Sequence, residues 1–400
     1  MSSLEIEFAN LKFVNPFLLA SAPPTRNAEM LARAFEQGWA GAVIKTIPSE
    51  SLMQRGLTHE PKPVMAGYYR GSKRLGMGNI SITGDWRIEE WAKALPSLRA
   101  EFPDRIVLGS FGAETIREDW QRMAKQLEDA GVDGIELDLS CTHATLGKEI
   151  PLIIGENPQL IAEVVSWVTD AVKIPVIPKL PATVYDWKGV LEACKEARAK
   201  GVASINTLSA FMGFDIESMN PLLNVNGLSA YCGYSGPAIK PIALRVVSQI
   251  YKTGILPVSG IGGISNWQDA IEFILLGAKT IQVCTAVMWN GYGIVQKMLR
   301  GLLDYMDKRN ILCLNEIVGF GDKYVRESVF ELKPDANLRA IVNEKCSGCR
   351  KCVIACCDGA YQAITMDDNK KAIIDKNRCT GCGLCVQVCP SNAITMESTF

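Results

Sequence analysis

The chain has little net charge, few histidines and no long apolar run. Its 42 basic and 43 acidic residues leave a formal charge of −1, which gives no long-range attraction for nucleic acid or anionic membranes. No run of about eighteen apolar residues is present, so no membrane span is predicted. The amino terminus does not resemble a secretory signal. The chain also lacks a G-x-G-x-x-G element between a strand and a helix, so we predict no dinucleotide-binding domain for NAD(P)H.

Cysteine, in contrast, is abundant and unevenly placed. Nine of the 14 cysteines lie between Cys346 and Cys389. The other five are scattered, which suits a reducing compartment better than a disulfide framework. We therefore expect a cytoplasmic protein.

The clustered cysteines form two runs with the spacing C-x2-C-x2-C-x3-C, and the second run ends in Cys-Pro. This spacing is typical of two [4Fe–4S] clusters, in which the fourth cysteine of each run binds the other cluster. Zinc sites and disulfides are the alternatives, but neither calls for two overlapping runs of this kind. The predicted ligand sets are Cys346, Cys349, Cys352 and Cys389 for one cluster, and Cys379, Cys382, Cys385 and Cys356 for the other.

The first three hundred residues alternate short apolar runs with helical patterns. This alternation predicts a parallel sheet, and eight units favour a closed (β/α)8 TIM barrel over an open doubly wound sheet. The predicted domains are a barrel over residues 1–309, a linker over 310–340 and a small α+β ferredoxin-like domain over 341–400. The eight runs are Phe17–Pro23, Gly41–Thr46, Val107–Ala113, Gly134–Ser140, Val176–Ala182, Ser204–Ala210, Pro257–Ile264 and Thr280–Val287.

Polar, ionisable and glycine residues stand where these runs end. A barrel builds its active site from the loops at the carboxyl ends of its strands, so these side chains are expected to converge. A single lysine at a strand end would most often be a solvated edge residue. The occurrence of such residues at seven strand ends is stronger evidence for an active site. Gly262-Gly263 and Cys284-Thr285 suit a phosphate site, and the alternative is two tight turns.

The motifs around these strand ends carry a family resemblance. Four of these motifs resemble motifs of the dihydroorotate and dihydropyrimidine dehydrogenases. They are Lys45-Thr46, Leu139-Ser140-Cys141-Thr142-His143, Pro178-Lys179-Leu180 and Ile205-Asn206-Thr207. The similarity continues through Gly260-Ile261-Gly262-Gly263-Ile264 and the cysteine-rich tail, so it covers nearly the whole chain.

The resemblance implies FMN in the barrel, with Lys179 stabilising negative charge on the reduced ring. It also implies a substrate side, where amides and a hydroxyl suit the N–H and C=O groups of a pyrimidine edge. The implied flavin-binding residues are Ser21, Lys45, Thr46, Asn79, Lys179, Asn206, Gly236, Gly262, Gly263, Cys284 and Thr285, and the implied substrate-binding residues are Asn79, Asp138, His143, Asn206 and Thr207.

The resemblance also implies that Cys141 moves a proton at one ring carbon while the flavin exchanges hydride with its neighbour. A movable acid at that place needs a pKa within reach of neutral pH. A small buried cysteine taken alone would more often be a core residue. His143 has two interpretations. It either tunes the Cys141 thiol or contacts the substrate, or it is an ordinary loop residue.

Two features depart from the family pattern. Asp138 stands where the family typically has asparagine, and a carboxylate accepts hydrogen bonds but cannot donate them. It would repel a carboxylate-bearing substrate such as orotate. The loop over residues 144–155 also differs, and we expect it to be the lid.

The predicted function is the reduction, or reversible oxidation, of the C5–C6 bond of a pyrimidine such as uracil or thymine. One alternative is an ene-reductase that acts by the same mechanism on another conjugated cyclic carbonyl compound. The other is a subunit that only transfers electrons. The expected electron partner is an FAD- and NAD(P)H-binding iron–sulfur subunit or a soluble ferredoxin, and an oligomer is expected.

Overall fold

The computed structural model describes residues 2–54, 62–139, 154–155 and 157–398. It divides into two compact units, Met1–Tyr324 and Val325–Phe400. The segment predicted to be a linker, 310–340, is shared between them. Leu314 and Ile317 are buried in the core of the first unit.

Eight parallel strands of the first unit close into a barrel, as the alternation of runs predicts. Each strand pairs with the next one along the barrel, and the last pairs with the first through Val283 and Leu19. The strands are Phe17–Leu19, Gly41–Val43, Ile106–Gly112, Gly134–Asp138, Val176–Leu180, Val202–Ser204, Val258–Ile261 and Ala278–Val283.

The sixth predicted run is divided. Its barrel strand ends at Ser204, and the later residues Leu208–Ala210 pair with Cys232–Ser235 in a different sheet. The chain between the two strands carries Asn206 and Thr207 into the region above the barrel.

Helices follow the barrel strands and cover them. Each buries an apolar face, as in Arg117–Ala130, where Trp120, Met123 and Leu127 are buried. Asparagine or aspartate caps four of the helices with a side-chain oxygen, which satisfies backbone N–H groups of the first turn. The helices of this unit are Ala28–Glu36, Glu50–Gln54, Ile88–Glu101, Arg117–Ala130, Pro158–Ala171, Trp187–Glu196, Lys240–Thr253, Trp267–Leu275, Thr285–Asn290 and Ile294–Asp307.

A four-stranded antiparallel sheet is formed by segments that connect the barrel strands. Its strands run in the order Leu208–Ala210, Cys232–Ser235, Lys73–Asn79 and Met65–Arg70. It packs on a small separate core that includes Met212. The pairing places Asn79 opposite Gly233. Two hairpins complete the unit, Ile6–Phe8 with Leu11–Phe13 and Phe214–Asp215 with Asn220–Pro221.

The second unit is small and has two antiparallel strand pairs and two helices. Its core contains Ala340, Ile364, Ala372 and Ile394 together with cysteine side chains. None of the helices in the described residues combines the length and the apolar character that crossing a membrane requires. The pairs are Leu338–Val342 with Ile394–Ser398 and Ile364–Met366 with Ala372–Ile374, and the helices are Lys351–Gly359 and Leu384–Val388.

Candidate functional site

A cavity lies at the carboxyl ends of the barrel strands. Its two adjoining lobes measure about 680 and 560 Å³ and share Ser21, Lys179, Asn206, Thr207, Ser235 and Cys284. The structure brings the described flavin- and substrate-site residues that the sequence predicts to this cavity. The first lobe adds Lys45, Thr46, Asn79 and Asp138, and the second adds Gly236, Gly262, Gly263 and Thr285. Cys141 and His143 lie outside the described residues.

Lys179 lies in the cavity beside a buried carboxylate. Its Nζ is 3.3 Å from Oε1 of Glu136, and the two side chains are 8% and 1% exposed. Oε1 has no hydrogen-bond partner among the described residues, so the contact is an ion pair without a directed hydrogen bond. The other oxygen, Oε2, accepts a hydrogen bond of 2.6 Å from Nε2 of Gln282. The carboxylate thus places an acidic partner beside a lysine that is almost fully removed from water.

Lys45 is the second cation of the cavity, and it is also buried. Its Nζ donates to the carbonyl oxygen of Ile82 at 3.0 Å. The following residue, Thr46, exchanges hydrogen bonds with Ser21: the backbone N–H of Thr46 donates to the Ser21 hydroxyl at 3.1 Å, and the two hydroxyls are 3.1 Å apart. These contacts hold the ends of the first two barrel strands together.

Asp138 and Asn206 form a polar pair on the first lobe. Nδ2 of Asn206 donates to Oδ1 of Asp138 at 3.2 Å. The side-chain oxygen Oδ1 of Asn206 accepts a hydrogen bond from the backbone N–H of Thr207 at 2.8 Å, so the side-chain amide nitrogen is turned towards Asp138. Asn79 is held from the antiparallel sheet, where its Nδ2 donates to the carbonyl oxygen of Gly233 at 2.9 Å.

Three glycines contribute to the lining of the second lobe, and backbone conformation and space together explain why. All have positive φ, at +102° for Gly236, +129° for Gly262 and +77° for Gly263. A Cβ on Gly262 would lie 2.7 Å from Cβ of Ala243, and one on Gly263 would lie 2.8 Å from the backbone nitrogen of Lys240. Only glycine permits this close approach of backbone, which fits a cradle for a phosphate group.

The end of the eighth strand completes the second lobe. The Thr285 hydroxyl donates to the Ser235 hydroxyl at 2.8 Å. Burial raises the pKa of the Cys284 thiol to about 11, although the nearby charges of Lys179 and Lys45 act to lower it. Cys284 is therefore a neutral thiol at physiological pH.

Sequence reasoning missed Glu136 and Gln282. Neither stands at a strand end: Glu136 lies two residues before the end of its strand, and Gln282 lies one residue before the end of its own. The available signal was an acid and an amide inside otherwise apolar runs, Gly-Ile-Glu-Leu-Asp and Ile-Gln-Val. Buried polar side chains of this kind need partners, and here Gln282 donates to Glu136, although Oε1 of each residue has no hydrogen-bond partner among the described residues.

In the second unit, the cysteines line two separate cavities of about 330 and 300 Å³. Each cavity collects three cysteines from one run and the fourth cysteine of the other run, which is the crossed arrangement that the spacing predicts. Their order and donor type fit iron–sulfur clusters. The larger cavity is lined by Cys379, Cys382, Cys385 and Cys356, and the smaller by Cys346, Cys349, Cys352 and Cys389.

Backbone N–H groups contact the two crossing cysteines. The N–H of Ala363 donates to Sγ of Cys356 and that of Ala393 donates to Sγ of Cys389, both at 3.2 Å. Such hydrogen bonds stabilise thiolate sulfur and tune the potential of a cluster. In the described residues, no three Cys, His, Asp or Glu side chains are grouped as a single metal ion needs. Zinc would require sulfur atoms only about 3.8 Å apart, whereas each cysteine of a cubane cluster binds a different iron.

A barrel with this cavity and a unit with two cysteine-lined cavities define a class of redox enzyme. Residues 3–306 match the family model for dihydroorotate dehydrogenase, and residues 340–396 match that for the 4Fe-4S dicluster domain. The chain belongs to the dihydroorotate dehydrogenase family and is an oxidoreductase that acts on CH–CH bonds.

Among its relatives, this chain is similar to the NAD-dependent dihydropyrimidine dehydrogenase subunit PreA of Escherichia coli (strain K12). The two are 34% identical over 380 residues, which cover 92% of this chain and 89% of that protein. The chloroplastic dihydropyrimidine dehydrogenase (NADP(+)) of Arabidopsis thaliana is 32% identical, covering 80% and 77%. The catalytic subunit of dihydroorotate dehydrogenase B (NAD(+)) of Pyrococcus furiosus is 35% identical, covering 80% and 99%.

Proposed function

We propose that this enzyme reduces, or reversibly oxidises, the C5–C6 bond of a pyrimidine such as uracil or thymine. One observation carries the proposal: a single cavity joins a glycine cradle and two buried lysines to a group of amide, hydroxyl and carboxylate side chains. The first set suits a flavin phosphate and ring, and the second suits a ring edge with alternating N–H and C=O groups.

FMN fits the cavity residues, and when bound it would supply hydride exchange with one carbon of the substrate double bond. Gly236, Gly262 and Gly263 would admit its phosphate, with Thr285 on the same lobe. Ser21, Thr46 and Cys284 line the first lobe, where the ring would lie. Lys179 would hold positive charge next to the ring, and its ion pair with Glu136 keeps that ammonium in place.

Cys141 is the proposed proton donor to the other ring carbon. In the sequence it follows Asp138, the last residue of its strand, by three positions, within the motif that resembles the pyrimidine dehydrogenases. Replacing Cys141 by alanine should slow turnover while flavin remains bound. Unchanged turnover would remove this cysteine from the mechanism.

We propose that electrons pass through two [4Fe–4S] clusters in the second unit to or from a separate protein. The crossed cysteine cavities support two clusters, and the sequence contains no dinucleotide-binding fingerprint of its own. An FAD- and NAD(P)H-binding iron–sulfur subunit is the proposed partner, and a soluble ferredoxin could substitute. Thiolate-bound clusters suit a reducing compartment, so we place the enzyme in the cytoplasm.

A second candidate is an ene-reductase for another conjugated cyclic carbonyl compound. The observation that favours it is Asp138, whose carboxylate lines the cavity where an amide would offer both a donor and an acceptor. A subunit that only transfers electrons is less well supported, because the barrel keeps Lys45, Lys179 and Asn206.

A substrate panel tests these functions. Protein purified without oxygen should contain about eight irons and one FMN per chain. Chemically reduced enzyme is then mixed with uracil, thymine, orotate or a cyclic enone, and flavin reoxidation is followed by absorbance. Rapid reoxidation by uracil or thymine supports the pyrimidine function, and reoxidation by enones alone supports the second candidate. Zinc in place of iron, or no flavin, would refute the cofactor assignment.

A further inference from the structure

Two basic and two acidic side chains belong to the described part of the barrel cavity. Among the described residues, its charged lining side chains are Lys45, Asp138 and Lys179. Behind Lys179 lies Glu136, 3.3 Å away. Among the described residues, two basic side chains are thus matched by two acidic ones. Replacing Asp138 with a neutral side chain would remove one negative charge from the lobe that it lines, which favours an anionic ligand there.

Asp138 is placed to act on a ligand. It is the last residue of its barrel strand and pairs in register with Lys179 on the neighbouring strand. Its side chain lines the first lobe and accepts a hydrogen bond from Asn206. A carboxylate has about four acceptor positions and no donor when ionised. A ligand atom that meets Asp138 must therefore be a hydrogen-bond donor.

We infer that Asp138 makes this site select an uncharged ring that presents an N–H or NH₂ group to it, and reject a ring that carries a carboxylate. The inference rests on the proposed function, in that it names the substrate class of that site. Asn206 reinforces the selection, because the hydrogen bond from Thr207 fixes its amide with the nitrogen towards Asp138. The carboxylate is the acceptor of the pair, and it cannot exchange roles as a second amide could.

Two ligands that differ mainly in charge provide the test. Orotate and its carboxamide, orotamide, have nearly the same size and share the pyrimidine ring. Binding of each is measured by isothermal titration calorimetry on the oxidised full chain with its cofactors, so no turnover is needed. The wild-type protein should bind orotamide at least tenfold more tightly than orotate. Asp138→Asn should shrink this ratio at least fivefold by tightening orotate binding, and Asp138→Glu should preserve it.

The control variant is Asp104→Asn, the same chemical change on an exposed side chain just before the strand Ile106–Gly112. It should leave the ratio unchanged. Equal wild-type affinity for the two ligands, or the same ratio in Asp138→Asn, overturns the inference while leaving pyrimidine reduction standing. Tryptophan fluorescence verifies that each variant is folded.

Failure of the proposed function gives a different result. If neither uracil nor the matched pair binds, the pyrimidine assignment is wrong, and nitrate then serves as the anionic probe. Asp138→Asn should bind nitrate at least threefold more tightly than the wild-type protein. Equal nitrate affinity overturns the inference about charge.

Discussion

Replacing Glu136 by glutamine should destabilise the barrel unit by about 3 kcal/mol. The ion pair with Lys179 is almost fully removed from water, with side chains 1% and 8% exposed, so solvent screening offers little relief. Removing one partner of a buried pair typically costs about 3 to 5 kcal/mol. We take the lower end because glutamine can still accept the hydrogen bond from Gln282, and because Asp138 stays in register with Lys179.

Tryptophan fluorescence provides an assay for the barrel alone. All 8 tryptophans precede residue 325, so none belongs to the second unit. Urea unfolding of anaerobically purified protein, followed at the tryptophan emission, should show a lower midpoint for Glu136→Gln. With a denaturant slope of roughly 3 kcal/mol/M, the expected shift is about 1 M.

A surface ion pair supplies the matched control. Glu192 lies 3.9 Å from Lys188, and both side chains are more than half exposed. Glu192→Gln should change stability by less than about 0.5 kcal/mol. The double variant Glu136→Gln/Lys179→Met removes both buried charges and should recover much of the loss. Equal midpoints for Glu136→Gln and Glu192→Gln would refute the assignment of a buried counter-charge.

Three further predictions concern the cofactor sites. Cys356→Ser should remove about half of the iron, because the cluster of the second cysteine run is lost. Cys357→Ser, at the next position, should keep all of the iron. An iron assay measures the iron content of both variants, and electron paramagnetic resonance shows which cluster signals remain. Gly263→Ala should weaken FMN retention at least tenfold in a flavin-release assay, while Gly254→Ala, also at positive φ but with no atom near its added Cβ, should retain FMN. Because burial raises the pKa of Cys284 to about 11, its thiol is protonated below that pH. The rate of its alkylation by iodoacetamide, followed by mass spectrometry, should rise about tenfold per pH unit from pH 7 to 9. A plateau of this rate near pH 8 would contradict the raised pKa.

The barrel could be predicted because its signal is local. Each strand is a short apolar run next to a helical pattern, and eight repeats leave few other closed arrangements. The antiparallel sheet could not be predicted in the same way. It pairs Lys73–Asn79 with Cys232–Ser235, segments that are far apart in sequence and lie in irregular connections. Nothing in either segment alone specifies its partner.

The cavity rim was predictable for a related reason. The carboxyl ends of parallel strands converge, so a polar residue at such an end already has a place in the fold. A polar residue inside a strand has no comparable rule that predicts its partners. Glu136 lies two residues before Asp138 on the same strand, and its importance appears only when Lys179 and Gln282 are seen to reach it from other strands.

The crossed cysteine cavities bear on how the second unit can work. Each run supplies three cysteines to one cavity and its fourth cysteine to the other. Cys356 lies in the helix Lys351–Gly359, so this helix contributes to both cavities through Cys352 and Cys356. Neither half can complete a site without the other. Two clusters bound in this way would share one polypeptide support, which favours their action as a single relay over two independent redox centres.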